Sequence, residues 1–440
     1  RKWRLPWRLE PEDEWRRNLY VVMVAVFASF TGFTFVMPFL PLYITQLGVT
    51  DPGDAALWSG VIFGVSPLLS GLLAPAWGRM AERYGRKRMM QRALGTFTVL
   101  IALMAFATSV YHLLGLRLLL GVFGGFGAMS VALASTIAPR SKVGEAVGLI
   151  QATQLASGIG APFLGGVVVD AAGLRGSFFV SSALCLAGLL LITFVYREDR
   201  EERSGAAAKG RGAEGGLGQY LRLPIFVGLL VTIFALQFID RSFGPLLPLY
   251  VATLDAPESR LGSITGLVMT LGALAASLAA LAAGRLSSRV APRPLLLGSL
   301  TAGTLCCLPI AFVDRWWQLL VLRALLGLLA GGALTLTYAI GGRGMPEGAR
   351  MGAFSALAGA GMVGGAVSPP ITGLLAKYAS LNTIFVVDAV LYLIVLVWVW
   401  RMLAVRMDVP AAPAAPDPGN PLAGAGTPAA ARAVPAARRD

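Results

Sequence analysis

The sequence predicts an all-α membrane protein: twelve transmembrane helices in two six-helix bundles, related by a pseudo-two-fold axis along the membrane normal. Three observations predict it. Hydrophobic residues make up 56% of the 440 and charged residues only 14%, against about 25% charged in an ordinary soluble domain, so a water-soluble chain could not cover its core. Apolar stretches of about twenty residues, the length that crosses a bilayer, recur twelve times along the chain. The two halves also repeat one another at a nearly constant offset. A net charge of +14 would suit a nucleic-acid partner if the basic residues shared a solvated face. Here they are scattered between apolar runs, and nucleic acid is excluded as a partner.

Taken in order, spans 1 to 6 cover 19–44, 57–78, 90–109, 112–137, 144–169 and 175–196, the N-terminal bundle over 19–196. Spans 7 to 12 cover 224–253, 260–283, 294–312, 316–340, 349–376 and 380–402, the C-terminal bundle over 224–402. A short segment, 1–18, precedes them. The first apolar stretch follows a charged segment and is too long for a signal peptide, so it is expected to stay as span 1. Residues 197–223 form a charged, Gly-rich linker, and 403–440 an Ala/Pro/Gly tail with seven prolines that cannot bury a core and reads as disordered.

Orientation follows from the Lys and Arg of the short connections. Of 37 basic residues, 30 fall on one side with both termini, including the span ends that abut it, and 4 on the other. Both termini are therefore expected in the cytoplasm of a multi-pass cell-membrane protein, and the lipid bilayer is its first partner. The remaining three, Arg117, Arg241 and Arg323, lie inside spans. Cys185, Cys306 and Cys307 all sit in apolar runs and imply no disulfide framework. His112 is the single histidine, predicted inert in a short outer connection, so histidine metal clusters are excluded.

The repeat is explicit. FVMPFLPLY at 35–43 aligns with SFGPLLPLY at 242–250, pairing Pro38 with Pro245, Pro41 with Pro248 and Tyr43 with Tyr250. GRMAER from Gly78 aligns with GRLSSR from Gly284, and Arg117 with Gly121 aligns with Arg323 and Gly327. Equivalent points are six spans apart, an even number, so both halves cross in the same sense. Parallel repeats of this kind, with a site between bundles that can rock, are a transporter's geometry.

A charge at membrane depth is costly and marks function by default. Asp240 and Arg241 lie inside span 7, and with Gln237 and Gly244 they are spaced i, i+3, i+4, i+7, which predicts one face. Desolvation raises a carboxyl pKa and a neighbouring cation lowers it, a balance suited to taking up and releasing a proton. A structural Asp–Arg pair that never titrates is the competing reading. Asp388 in span 12 is the other acid inside a span. Phe33, Thr34, Met37, Gln151, Gln154 and Phe238, joined by Gln237, suggest a largely apolar substrate cavity with a few polar anchors. Aromatic and Met residues on spans more often pack or face lipid.

GRMAERYGRKRMM at 78–90 resembles the cytoplasmic loop motif of the major facilitator superfamily. Gly32, Pro38 and Pro41 match a first-helix pattern of its twelve-helix drug:proton antiporters, and Arg117 with Gly121 resembles their fourth-helix motif. Ala161, Pro162, Gly165 and Gly166 resemble the antiporter signature on span 5, with Gly158 nearby, and VMPFLPLYITQLGV is similar to bacterial multidrug exporters of the MdtG type. Glu82 stands where the superfamily usually has Asp, and Ala161 where Gly is usual. The resemblance implies the superfamily fold, with spans 1, 4, 7 and 10 around a central cavity and span 12 at the periphery, which favours a packing role for Asp388 over proton coupling. It gives Arg117 a part in proton movement, against the alternative that Arg117 and Arg323 bond backbone carbonyls.

The gating loop is then Gly78, Glu82, Arg83, Gly85 and Arg86. Its glycines allow tight turns. Arg83, Arg86 and Lys87 hold it to the anionic leaflet at about 1 kcal/mol each, and Glu82 is expected at the N-terminus of span 11 as a cytoplasmic latch. Gly158, Pro162, Gly165 and Gly166 allow bending and close helix approach. The function so implied is proton-coupled efflux of lipophilic small molecules by rocker-switch alternating access, by a monomer in the bacterial inner membrane, with the proton gradient as driver and no cofactor. A metabolite uniporter or symporter is the alternative. A membrane receptor or enzyme lacks support, since no Walker loop or Ser/His/Asp constellation is present.

Overall fold

The computed structural model describes residues 11–139, 142–196, 224–344 and 350–404. The linker predicted over 197–223 and the tail beyond 404 lie outside the described residues. Within them the chain is all helix, folded as twelve membrane crossings in two six-helix bundles. Eight stretches are long and apolar enough to cross on hydropathy alone, and one of these, Val143–Val195, contains two crossings. Spans 3, 4 and 11 are not among them: span 3 opens on Arg86, Lys87 and Arg88, and span 4 is split.

Proline explains the first departure from straight helices. Span 1 runs Pro11–Val36, tightens into a 3-10 turn at Met37–Phe39 and resumes as Leu40–Gln46. Pro38 and Pro41 lack the N–H that a continuous helix needs there. Span 7 repeats this as Pro224–Ser242, a turn at Gly244–Leu246 and Leu247–Thr253, with Pro245 and Pro248. In each half the tyrosine of the motif anchors the far end. Tyr43 Oη donates to the Met104 carbonyl at 2.9 Å, and Tyr250 Oη to that of Ile310 at 2.6 Å. These carbonyls end spans 3 (Arg86–Met104) and 9 (Pro292–Ile310).

Two breaks were not predicted. Span 4 is Val110–Phe123 followed by Phe126–Ile137, parted at Gly124 and Gly125, whose φ is +93°. Span 10 is Trp316–Ala330 and Ala333–Gly344, parted at Gly331 and Gly332. The two breaks fall at equivalent places in the repeat. Arg92 of span 3 clamps the first: its Nη2 donates to the Phe123 carbonyl at 3.3 Å while its guanidinium stacks 3.5 Å from the centre of the Trp77 ring. Trp77 Nε1 donates to the Val122 carbonyl at 2.8 Å. These donors satisfy carbonyls that the broken helix leaves open.

The connection predicted over 79–89 is itself helical. Span 2 runs Pro52–Tyr84, and only Gly85, at φ +93°, separates it from span 3. Spans 5 and 6 are Val143–Leu190 with a bend at Gly173, φ +73°. Span 8 is Leu261–Ser287, span 11 Arg350–Tyr378 and span 12 Leu381–Ala404. Successive crossings alternate between the face holding most basic residues, the basic face, and the opposite face. The bundles meet along two seams, span 2 against span 11 and span 5 against span 8.

Candidate functional site

The charged residues well inside spans of the C-terminal bundle, Asp240, Arg241, Arg323 and Asp388, lie on spans 7, 10 and 12. Asp240 Oδ2 lies 3.6 Å from Arg241 Nε, and both side chains are 65% exposed, which for residues inside a span means open space beside the helix. A Cβ added at Gly361 would lie 3.2 Å from Gln237 Cγ, and one at Gly365 3.2 Å from Arg241 Cγ. Gln237 and Arg241 thus run along the small-residue face of span 11. Gly244 does not continue this stripe, because the helix ends at Ser242 before the Gly244–Pro245 turn.

Asp388 is buried, 3% exposed, and faces span 7 inside the bundle. Ser242 Oγ donates to its Oδ2 at 2.5 Å, while Oδ1 has no partner among the described residues. Arg323 stacks 3.9 Å over the Phe243 ring, next in sequence to Ser242, and interacts electrostatically with both Asp240 and Asp388. Two acids and two bases therefore share one neighbourhood. The resemblance puts span 12 at the periphery and favours packing for Asp388, whose side chain turns inward towards span 7.

The N-terminal bundle is built differently. Arg117 is 2% exposed, sits 5.6 Å over the Phe63 ring, and its Nε has no hydrogen-bond partner among the described residues. Beside the break in span 4 lies a cavity of about 230 Å³ lined by Phe30, Phe33, Phe97 and Phe126, with Ser66 and Ser70 as its polar members. Phe33 and Phe97 meet edge to face at 5.2 Å. The serine hydroxyls donate to the Arg117 and Gly121 carbonyls, which leaves the walls apolar. Of the other predicted cavity residues, Gln154 Nε2 is committed to Ser130 Oγ at 2.8 Å and the Gly127 carbonyl at 3.2 Å, whereas Gln151 is exposed. Thr34 and Phe238 are half-buried, and Met37 is buried near the turn of span 7.

The span-5 motif forms a seam. Gly166 packs on the Gly262 backbone and Gly266 on that of Pro162, while Gly165 packs on the Phe35 carbonyl within its own bundle. Gly158 has nothing within 4 Å of an added Cβ, so close approach is not its role here. On the other seam Gly60 meets the Pro369 carbonyl and Gly64 the ring of Pro370. All these residues lie in the halves of their spans nearest the opposite face. In the basic halves of spans 2, 5 and 11, Gly78, Gly144, Gly148 and Gly359 have open space around them. Among the described residues, the close backbone contacts between the bundles lie towards the opposite face.

The gating-loop residues are partly turned inward. Arg86 Nη1 donates to the Ala132 carbonyl at 2.7 Å and Lys87 Nζ to that of Tyr196 at 2.5 Å, which fastens the turn to spans 4 and 6 rather than leaving these cations at the leaflet. Arg83 is exposed beside Tyr84, and Gly85 supplies the positive φ. The Glu82 side chain, and those of the first turn of span 11, lie outside the described residues.

A family described as the Major Facilitator Superfamily matches the chain over residues 22–263 and again over 244–438. The chain belongs to the major facilitator superfamily. It is 36% identical over 329 residues to the multidrug resistance protein MdtG of Citrobacter koseri, covering 74% of this chain and 80% of that one. It is 38% identical over 322 residues to the multi-drug resistance efflux pump PmrA homolog of Lactococcus lactis, covering 73% and 78%. A bacterial homolog of the human lysosomal transporter Spinster, solved in an inward-facing and occupied conformation, superposes with a TM-score of 0.74 at 14% identity over 92% of this chain and 100% of that one. The nucleoside transporter NupG superposes at 0.70 and 12% identity over 88% and 99%. At those identities the fold is what is shared.

As a member of this superfamily the protein is a transporter rather than an enzyme. Its charged neighbourhood joins three of the predicted residues, Asp240, Arg241 and Asp388, with Arg323. Arg117 stands apart in the other bundle. The role of Arg92 was missed, because a cation at a span end reads first as a topology signal.

Proposed function

We propose that this transporter exports lipophilic small molecules in exchange for protons, by rocking the two bundles about the space between them. The observation that carries the reading is the cluster of Asp240, Arg241, Arg323 and Asp388 on spans 7, 10 and 12. A buried carboxyl such as Asp388 must be neutralised by a cation or by a proton, and two carboxyls that share Arg323 can exchange one means of neutralisation for the other as the bundles move. The names of the relatives at 36% and 38% identity support efflux and a drug-like cargo. The phenylalanine-lined cavity supports an apolar, ring-bearing one.

With the basic face in the cytoplasm of a bacterial inner membrane, the described arrangement receives cargo from inside. Gln237, Phe33, Thr34, Met37, Gln151, Gln154 and Phe238 contribute to the passage, and Asp240, Arg241, Arg117 and Asp388 to proton movement. Gly78, Glu82, Arg83, Gly85 and Arg86 form the cytoplasmic gate, with Glu82 latching to span 11 when that side closes. The protein works as a monomer, and the proton gradient drives it without a cofactor. The test is accumulation of the dye Hoechst 33342 in inverted vesicles on which an acid interior is imposed. Uptake that collapses with the gradient is expected. Uptake indifferent to an imposed gradient, or none for any lipophilic dye, contradicts the reading.

A further inference from the structure

The two seams at the opposite face obey the internal repeat residue by residue. Gly60 packs on the Pro369 carbonyl, and Gly266, its equivalent at an offset of 206, packs on the Pro162 carbonyl. Gly373 packs on the Ala56 carbonyl, and Gly166, its equivalent at 207, packs on the Gly262 carbonyl. One turn further towards the opposite face each seam ends in a charged contact. On one, Lys377 Nζ lies 2.8 Å from Asp54 Oδ1. On the other, Asp170 accepts from the Gly262 N–H at 2.8 Å, from the Ser263 N–H at 2.7 Å and from Ser263 Oγ.

Lys377 and Asp170 are themselves equivalent positions, 207 apart. The shape of the seam is repeated while its electrostatics are inverted: a base at the end of span 11 meets an acid, and an acid at the end of span 5 meets the positive end of span 8. A carboxylate across the first turn of a helix takes up N–H groups that have no partner within that helix, and it is favoured by the helix dipole. Both contacts join the two bundles, so both must break before the opposite face can open.

We propose that Asp54–Lys377 and Asp170–span 8 are paired locks, the charged closures of the gate on the face opposite the basic one, and that they set how often that gate opens. The Asp170 lock is the stronger of the two. It holds three hydrogen bonds from a helix start whose donors have little freedom to leave, whereas Lys377 is a flexible, half-exposed partner. The locks act on the position of the bundles and not on cargo, so they stand whether or not the transported molecule is a lipophilic drug.

The test uses the full-length protein in lipid nanodiscs, in a background without native cysteines, with nitroxide labels at Thr50→Cys and Ser259→Cys. These exposed sites precede spans 2 and 8, and their separation across the opposite face is read by pulsed electron paramagnetic resonance without substrate. Asp54→Asn combined with Asp170→Asn is expected to raise the population at long distance at least about threefold. Asp170→Asn alone is expected to account for most of that. The exchange Asp54→Lys with Lys377→Asp should return the Asp54→Asn distribution towards the unmutated one. If the double variant does not insert stably, Asp54→Asn and Asp170→Asn are read singly: a distribution that lengthens in each, more in Asp170→Asn, supports the proposal, and one unchanged in both overturns it. An unchanged distance distribution in the variants, or a charge exchange that restores nothing, overturns the proposal. Loss of dye transport alone does neither, which separates this result from the fate of the efflux reading.

Discussion

Arg117 in span 4 and Arg323 in span 10 stand at equivalent places in the two bundles, yet they keep different company. Arg323 lies over Phe243 and interacts with two carboxylates, Asp240 and Asp388. Arg117 has a phenylalanine face and an Nε without a partner among the described residues. The backbone around them is repeated down to the glycine breaks at Gly124–Gly125 and Gly331–Gly332, but the acids are not. In the function proposed above, the C-terminal bundle would carry the acid–base chemistry, while the N-terminal bundle holds the apolar cavity and the loop proposed as the gate. A duplicated scaffold would then have divided two tasks between its copies.

The largest effect expected from this division is at the arginines. Arg323→Leu removes the buried cation that interacts with Asp240 and Asp388 and is expected to lower the unfolding temperature. Arg117→Leu removes a buried charge with no carboxylate beside it among the described residues, and is expected to be neutral or stabilising. Thermal unfolding of the two variants in detergent checks this, and equal losses would abolish the contrast. Next come the seams. Gly166→Leu must push against the Gly262 backbone and is expected to cut transport at least about tenfold, since an overpacked interface costs roughly 1–3 kcal/mol or more. Gly158→Leu, eight residues away with open space around it, should stay within about twofold.

A smaller effect belongs to the cavity. Phe33→Ala or Phe126→Ala is expected to raise KM for polycyclic dyes by about three- to tenfold while leaving non-aromatic cargo unchanged, in line with the value of an aromatic contact. Substrate-dependent transport rates measure it. The smallest concerns pH. Lys377 holds Asp54 only as an ammonium cation, a charge that lysine keeps up to about pH 10. The label distance across the opposite face should therefore stay constant from neutral pH to about 10 and lengthen only above the usual lysine range. Lys377→Arg should extend the closed range upward.

Much of this architecture could be read from the residues. Span length and the placing of basic residues are set by the bilayer itself, so the twelve crossings and their alternation leave a direct trace, and FVMPFLPLY against SFGPLLPLY exposes the repeat. The breaks in spans 4 and 10 leave no such trace, because Gly124 and Gly331 look like any small residue that lets helices pack. Arg92 reads as a topology charge although it caps a broken helix. Asp388 sits on a span expected at the edge, and nothing local in sequence says that its side chain turns towards Ser242, 146 positions away. The locks are hidden for the same reason. Asp170 and Gly262 are 92 residues apart, and each alone is an ordinary residue at the end of a span. Pairings across the bundles are tertiary facts, and only the glycines of the span-5 motif hinted that a seam was there.

The central claim is that proton coupling depends on Asp240 of the C-terminal bundle, with Arg117 of the N-terminal bundle subsidiary to it. It is tested most directly by proton flux in proteoliposomes of the unmutated protein, Asp240→Asn and Arg117→Leu, with a pH-sensitive dye inside and substrate added outside. The account predicts substrate-induced proton movement in the unmutated protein and none in Asp240→Asn, which should keep gradient-independent exchange of labelled for unlabelled substrate. Substrate-induced proton flux of unmutated size in Asp240→Asn would contradict it, and its loss in Arg117→Leu alone would move the proton path to the N-terminal bundle.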